Sequence, residues 1–208
     1  MPPLVPGGRA WSSVSLSRPE HALEAFLIST GIVALAEMGD KTQLLALVLA
    51  ARFRKPWPIV AGILAATLAN HAAAGMVGAW VQAQLGPGTL RAVLGISFLA
   101  MAAWMLVPDK LEESDSAKAP RFGVFGTTLV VFFLAEMGDK TQIATVMLAA
   151  RYEAALAWVV AGTTLGMMLA NAPVVWLGER ATRRIPIRAV HLVSAVVFAA
   201  LGVAALWS

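Results

Sequence analysis

Six stretches of this chain are apolar over lengths that cross a membrane as a helix: about residues 24–50, 57–83, 90–107, 122–150, 154–178 and 187–207. A helix needs about 20 residues to traverse the hydrocarbon. Inside it, the backbone must satisfy its own hydrogen bonds, which restricts the choice to helices or closed barrels. The expected fold is therefore an all-α polytopic membrane protein with six transmembrane helices. Composition agrees: 59% of residues are hydrophobic and 13% charged, against about 25% charged in a soluble domain. Trp57, Trp80, Trp104, Trp158, Trp176 and Trp207 fall near span ends, as an interfacial aromatic belt requires. The net charge of +4 resides mostly in short loops, so topology accounts for it and nucleic acid is not an expected partner. The absence of cysteine excludes disulfides, thiolate metal sites and thiol catalysis. Residues 1–22 are rich in Pro, Gly and Ser and lack the apolar core of a signal peptide. They read as a disordered lead.

The chain repeats itself. LAEMGDKTQ occupies Leu35–Gln43 and recurs letter for letter at Leu134–Gln142. Downstream, Leu49-Ala50-Ala51-Arg52 matches Leu148-Ala149-Ala150-Arg151, and Leu68-Ala69-Asn70 matches Leu169-Ala170-Asn171. A polar connection, residues 108–121, separates residues 24–107 from residues 122–207, with three spans in each half. Three is odd, so the second half must enter the membrane in the opposite direction, giving two inverted three-helix repeats. Arg52, Arg54, Lys55, Lys110, Lys118, Arg121, Arg180, Arg183, Arg184 and Arg188 fall in alternate loops, against Arg9, Arg18, Arg91 and Arg151 in the other set. The positive-inside rule places the first set and the 108–121 connection in the cytoplasm, and both termini outside.

Each nonapeptide sets Glu, Asp and Lys inside an apolar span: Glu37, Asp40 and Lys41, then Glu136, Asp139 and Lys140. At roughly 2.5–3.5 kcal/mol apiece the six cost on the order of 15–20 kcal/mol. That exceeds the ~5–15 kcal/mol net stability of a typical domain, so the groups must be paired or used. Glu37 and Glu136 both fall near the bilayer midplane, where secondary transporters hold substrate at the repeat interface. On an ideal helix, Glu37 and Asp40 lie about 60° apart, with Lys41 about 40° to the other side of Glu37. Thr42 points away unless the helix opens at Gly39.

Glu37, Asp40, Glu136 and Asp139 offer four carboxylates without His or Cys. That set suits a hard divalent cation such as Ca²⁺ or Mn²⁺. With both lysines its net charge is −2, which one divalent ion neutralises. Carboxylates held close together are also costly to ionise at once, so the same cluster can carry protons. Thr42, Gln43, Thr141 and Gln142 are accessory candidates. Glu37–Lys41 and Glu136–Lys140 are i,i+4 pairs in the favourable order and can neutralise one another within each helix, leaving Asp40 and Asp139 over. Asn70 and Asn171 are repeat-related amides, read as interhelical glue or as further ligands. Met38 and Met137 read as packing. His71, whose repeat counterpart is Ala172, reads as a satisfied or cavity-facing histidine. His21 and His191 carry no assignment.

At Glu37-Met38-Gly39-Asp40-Lys41-Thr42 and Glu136-Met137-Gly138-Asp139-Lys140-Thr141 the chain resembles the Golgi-type calcium/manganese transporter family, a branch of the calcium/cation antiporter superfamily. The resemblance covers about residues 24–207. It implies export of Mn²⁺ or Ca²⁺ from the cytosol in exchange for H⁺ and a cation site lined by the four motif acids. The short acidic central loop and the lack of an evident organelle-targeting segment read as a bacterial inner-membrane member. No cofactor is implied beyond the transported ion, and no enzymatic activity. The competing reading is a six-span exporter of a small organic solute such as a basic amino acid. A membrane hydrolase would need a Ser–His or paired His–Glu constellation near the motif, which the sequence lacks.

Overall fold

The computed structural model describes residues 19–107, 123–178 and 186–207. Eight α-helices follow one another: α1 (Pro19–Glu37), α2 (Lys41–Phe53), α3 (Pro56–Gln84), α4 (Pro87–Trp104), α5 (Gly123–Glu136), α6 (Lys140–Arg151), α7 (Leu156–Leu177) and α8 (Ile187–Trp207). A short 3₁₀ turn, Glu153–Ala155, joins α6 to α7. Among the described residues there is no strand, as the all-α expectation requires. Helix α1 begins at Pro19, earlier than the expected residue 24. The rest of the lead, residues 1–18, and the connection at 108–121 lie outside the described residues.

Helices α3, α4, α7 and α8 are each long and apolar enough to cross a membrane. The expected continuous spans at 24–50 and 122–150 are instead broken at the two motifs. Helices α1 and α2 meet at 71° and together make a fifth candidate span. With 14 residues, α5 covers only about 21 Å by itself. The starts of these helices follow from sequence: Pro56 and Pro87 stand in the first turns of α3 and α4, where a missing N–H costs nothing.

Helix α1 packs along α7, α4 against α8, and α3 against α5, α6 and α7. One close contact is made twice. A Cβ on Gly62 would meet the Phe125 carbonyl and Thr128 of α5; one on Gly162 would meet the Phe26 carbonyl and Ser29 of α1. These two glycines let α3 ride on α5 as α7 rides on α1. Between α4 and α8 the rings of Phe98 and Phe198 stand 6.2 Å apart. Gly95 there faces the Gly202 carbonyl while Gly202 faces the Gly95 carbonyl. Leu23, Leu27, Ile96, Leu134 and Val196 point outward. In water such a coat would be an association surface; in hydrocarbon it is the natural exterior. The starts of α1 and α4 and the ends of α6 and α8 share one end of the bundle, where His21, Leu90, Arg151 and Ala205 line a common cavity.

Candidate metal centre

Both helix breaks are built the same way. Gly39 and Gly138 have φ of +85° and +76°, the left-handed region where glycine alone is at ease. The next residues, Asp40 and Asp139, are extended and stand as N-caps of α2 and α6. Neither carboxylate makes a capping hydrogen bond, so neither is committed to its own helix end. That task falls to glutamine: the Gly39 N–H donates to Gln43 Oε1 at 3.1 Å, and the Gly138 N–H to Gln142 Oε1 at 2.7 Å. Each glutamine thus reaches back from N3 to the residue before the N-cap, one position beyond the N–H that a capping box would hold, and without its reciprocal bond. Gln43 also donates through Nε2 to the Ala170 carbonyl at 3.0 Å, tying the break to α7.

Opening the helix at glycine brings threonine round to glutamate. Thr42 Oγ1 donates to Glu37 Oε2, and Thr141 Oγ1 donates to Glu136 Oε2 at 3.1 Å. Both glutamates are fully buried. One oxygen of each of Glu37, Glu136 and Asp139 lies within 4.8 Å of the others. Two oxygens that share one ion at 2.3–2.6 Å stand at most about 5 Å apart, so this spacing is compatible with one cation. Glu37 Oε1, Glu136 Oε1, Asp139 Oδ2 and Asn171 Oδ1 are buried and accept no hydrogen bond. Buried oxygens in native proteins are satisfied nearly everywhere else, so these four are open acceptors converging on a candidate cation site.

The fourth acid and the lysines depart from ideal-helix geometry. Asp40 is buried and lies beside Lys41, outside the 4.8 Å group. Lys41 does not pair with Glu37 along one helix. Its Nζ crosses to Asp139 Oδ1 at 3.5 Å, because the break removes the i,i+4 register the intrahelical pair needs. Lys140 Nζ donates to the Val107 carbonyl at 3.3 Å and stands 5.9 Å from the Trp104 ring.

The two asparagines part company. Asn70 Nδ2 donates to the Phe133 carbonyl of α5 at 3.0 Å, so it acts as glue. Asn171 Nδ2 lies 3.5 Å from Glu37 Oε2 and 3.2 Å from the Met167 carbonyl, at the edge of the centre. Met38 is half-buried, in keeping with packing, whereas Met137 is exposed. His71 is buried with neither ring nitrogen bonded. Two contributors carried no sequence signal beyond being polar in an apolar helix. Ser194 Oγ donates to the Leu35 carbonyl at 3.1 Å, and His191 stands against Gly39 with Ile187.

A family model described as divalent cation/proton antiporter GDT1 matches residues 25–113 and 124–208. The chain belongs to that family. The resemblance carried by the two motifs is thereby borne out. A Vibrio cholerae protein named "Putative manganese exporter" is 51% identical over 187 residues, which is 89% of this chain and 92% of the relative. A GDT1-like protein of Synechocystis is 29% identical over 205 residues, 89% of this chain and 98% of the relative. No solved structure matches the chain. As a member of the GDT1 family, the protein is an integral membrane transporter of divalent cations and not an enzyme.

The glycines of this GDT1 chain differ in one testable respect. A Cβ at Gly39 would come within 2.6 Å of Ile187 Cγ2, whereas one at Gly138 meets nothing within 4 Å. Gly138→Ala should cost only the left-handed strain, about 1–2 kcal/mol. Gly39→Ala should cost more and lower the melting temperature further, and adding Ile187→Ala should recover the difference. Equal melting of the two single variants would contradict the contact.

Proposed function

We propose that this protein exports a divalent cation, Mn²⁺ foremost, from the cytosol in exchange for H⁺, at a site between its two motifs. The observation that carries the reading is the convergence of Glu37, Glu136 and Asp139 oxygens within 4.8 Å in a fully buried setting. Their hard oxygen chemistry suits Mn²⁺ and Ca²⁺ alike. The name of the Vibrio cholerae relative favours Mn²⁺. Glu37, Glu136 and Asp139 hold the ion, Asp40 completes the charge set beside Lys41, and Thr42 and Thr141 orient the glutamates. Gln43 and Gln142 keep the breaks open. Asn171 and Lys140 act at the edge, and Asn70 holds α3 to α5. Lys41 neutralises Asp139 between transport events; an arriving divalent ion takes over that role, and Lys41 withdraws.

The architecture that goes with this function is six spans in two inverted three-helix repeats, each broken at its motif. The twice-made glycine contact and the reciprocal Gly95–Gly202 packing support it. So does the meeting of the starts of α1 and α4 with the ends of α6 and α8 at one end, as alternating spans require. On the charge count that end faces outside, and the bacterial relatives favour a plasma membrane. A reporter fused after Ser208 should accordingly be active only on the external side; activity confined to the cytoplasm would reverse the topology.

Radioactive Mn²⁺ and Ca²⁺ uptake into inverted vesicles, with and without a pH gradient, tests the function. Mn²⁺ uptake that saturates and grows with an imposed H⁺ gradient is expected. Uptake of a basic amino acid that excess Mn²⁺ fails to inhibit would instead favour the organic-solute reading.

A further inference from the structure

At the end of the bundle away from the motifs lies a cavity of about 390 Å³. That falls in the ~300–1,000 Å³ range of small-molecule pockets and far exceeds the roughly 30 Å³ one water occupies. Its polar wall holds Arg91 from the first turns of α4, Arg151 from the end of α6, Tyr152 and Glu24. The one described acid is already engaged. Glu24 Oε1 accepts from the Tyr152 hydroxyl at 3.2 Å, and Oε2 faces His21 Nδ1 at 3.9 Å. Among the described side chains no carboxylate pairs with either guanidinium. Leu90 and Leu94 of α4 add apolar lining. Trp207, two residues beyond the lining residue Ala205, is almost fully exposed, as an anchor at headgroup depth would be.

We infer that this cavity binds an anionic phosphate group, gripped between Arg91 and Arg151. Guanidinium forks match phosphate oxygens bidentately, and two of them face one preoccupied carboxylate. The placement also argues against topology as their reason for being there. Among the described residues, these are the only Arg or Lys of the sparsely charged set, and both line one cavity. Val93 and Ile96 of the same helix are exposed, an apolar surface along which an acyl chain can lie. The group can therefore arrive on a lipid headgroup or as free phosphate. Because α1 and α4 come from one half of the chain and α6 and α8 from the other, a bound phosphate ties the halves together at this end.

The test is thermal unfolding of the full-length, delipidated protein in detergent. It is titrated with short-chain phosphatidylglycerol, with short-chain phosphatidylcholine, and with inorganic phosphate against chloride at matched ionic strength. Phosphatidylglycerol is expected to raise the melting temperature and phosphatidylcholine to leave it unchanged. Arg91→Gln and Arg151→Gln should each raise the half-saturating concentration about tenfold or more. The lysine variants should fall between, since they keep charge but lose the fork. A shift with inorganic phosphate and none with lipid would identify a free anion as the source and leave the site standing. Equal shifts with both lipids and none with phosphate, or glutamine variants that respond as wild type, would overturn it. The motif residues play no part in this readout, so its outcome is independent of the transport reading.

Discussion

Glu37→Gln and Glu136→Gln are each expected to reduce Mn²⁺ transport by about a hundredfold or more while leaving the protein inserted in the membrane. Both carboxylates are fully buried, each with one oxygen held by a threonine and the other accepting no hydrogen bond. Glutamine keeps the shape but removes the charge and turns a free acceptor into a donor aimed at other acceptors. Loss of a residue that merely supports a metal ligand already costs about 10–100-fold, so loss of a ligand should cost at least that. Insertion should not suffer, because removing a buried charge lowers the penalty of placing the segment in hydrocarbon. Thr42→Ala and Thr141→Ala remove only the orienting hydroxyl and should be milder. Uptake into inverted vesicles, normalised to the amount of inserted protein, measures all four. If one glutamate variant is inactive and the other transports normally, the shared site is wrong and one motif is only structural.

The identical nonapeptides made the relation between the two halves legible, and the cost of six ionisable groups in apolar spans marked the candidate site. Hydropathy alone could not reveal the breaks: residues 24–50 read as one continuous apolar run, yet the chain turns by 71° within it. The signal was Gly39, which a helix tolerates and a left-handed turn requires. Once the turn forms, the azimuths of an unbroken helix no longer apply. Thr42 therefore swings onto Glu37, and Lys41 reaches Asp139 in the other half rather than Glu37 in its own. The asparagines look equivalent in sequence, but which neighbour each meets depends on helix packing. Asn70 met a carbonyl and Asn171 a carboxylate. His191 and Ser194 could not be assigned, since their roles arise only because α8 crosses the first break.

Replacing Asp40 and Asp139 together by Asn is expected to abolish coupling between metal and protons. Two like charges about 4.8 Å apart repel by roughly 3–4 kcal/mol at an effective dielectric of 20, and three carboxylate oxygens lie within that distance of one another here. Lys41 offsets part of this through Asp139. The remainder is relieved either by a proton shared over the cluster or by a divalent cation, and both cannot be held in full. On the proposed mechanism metal binding should therefore release protons, and apparent affinity should weaken as pH falls, because added protons compete for the same oxygens. The titration belongs to the cluster as a unit and not to any one acid. In proteoliposomes an inward-directed H⁺ gradient should drive Mn²⁺ out, and metal loading should acidify an unbuffered medium. The double Asn variant should show neither. Its cluster keeps Glu37 and Glu136 but loses the acid Lys41 neutralises, leaving the lysine to repel the incoming cation. Metal flux that stays constant from about pH 6 to 8, with no proton release on binding, would instead require a uniporter or channel.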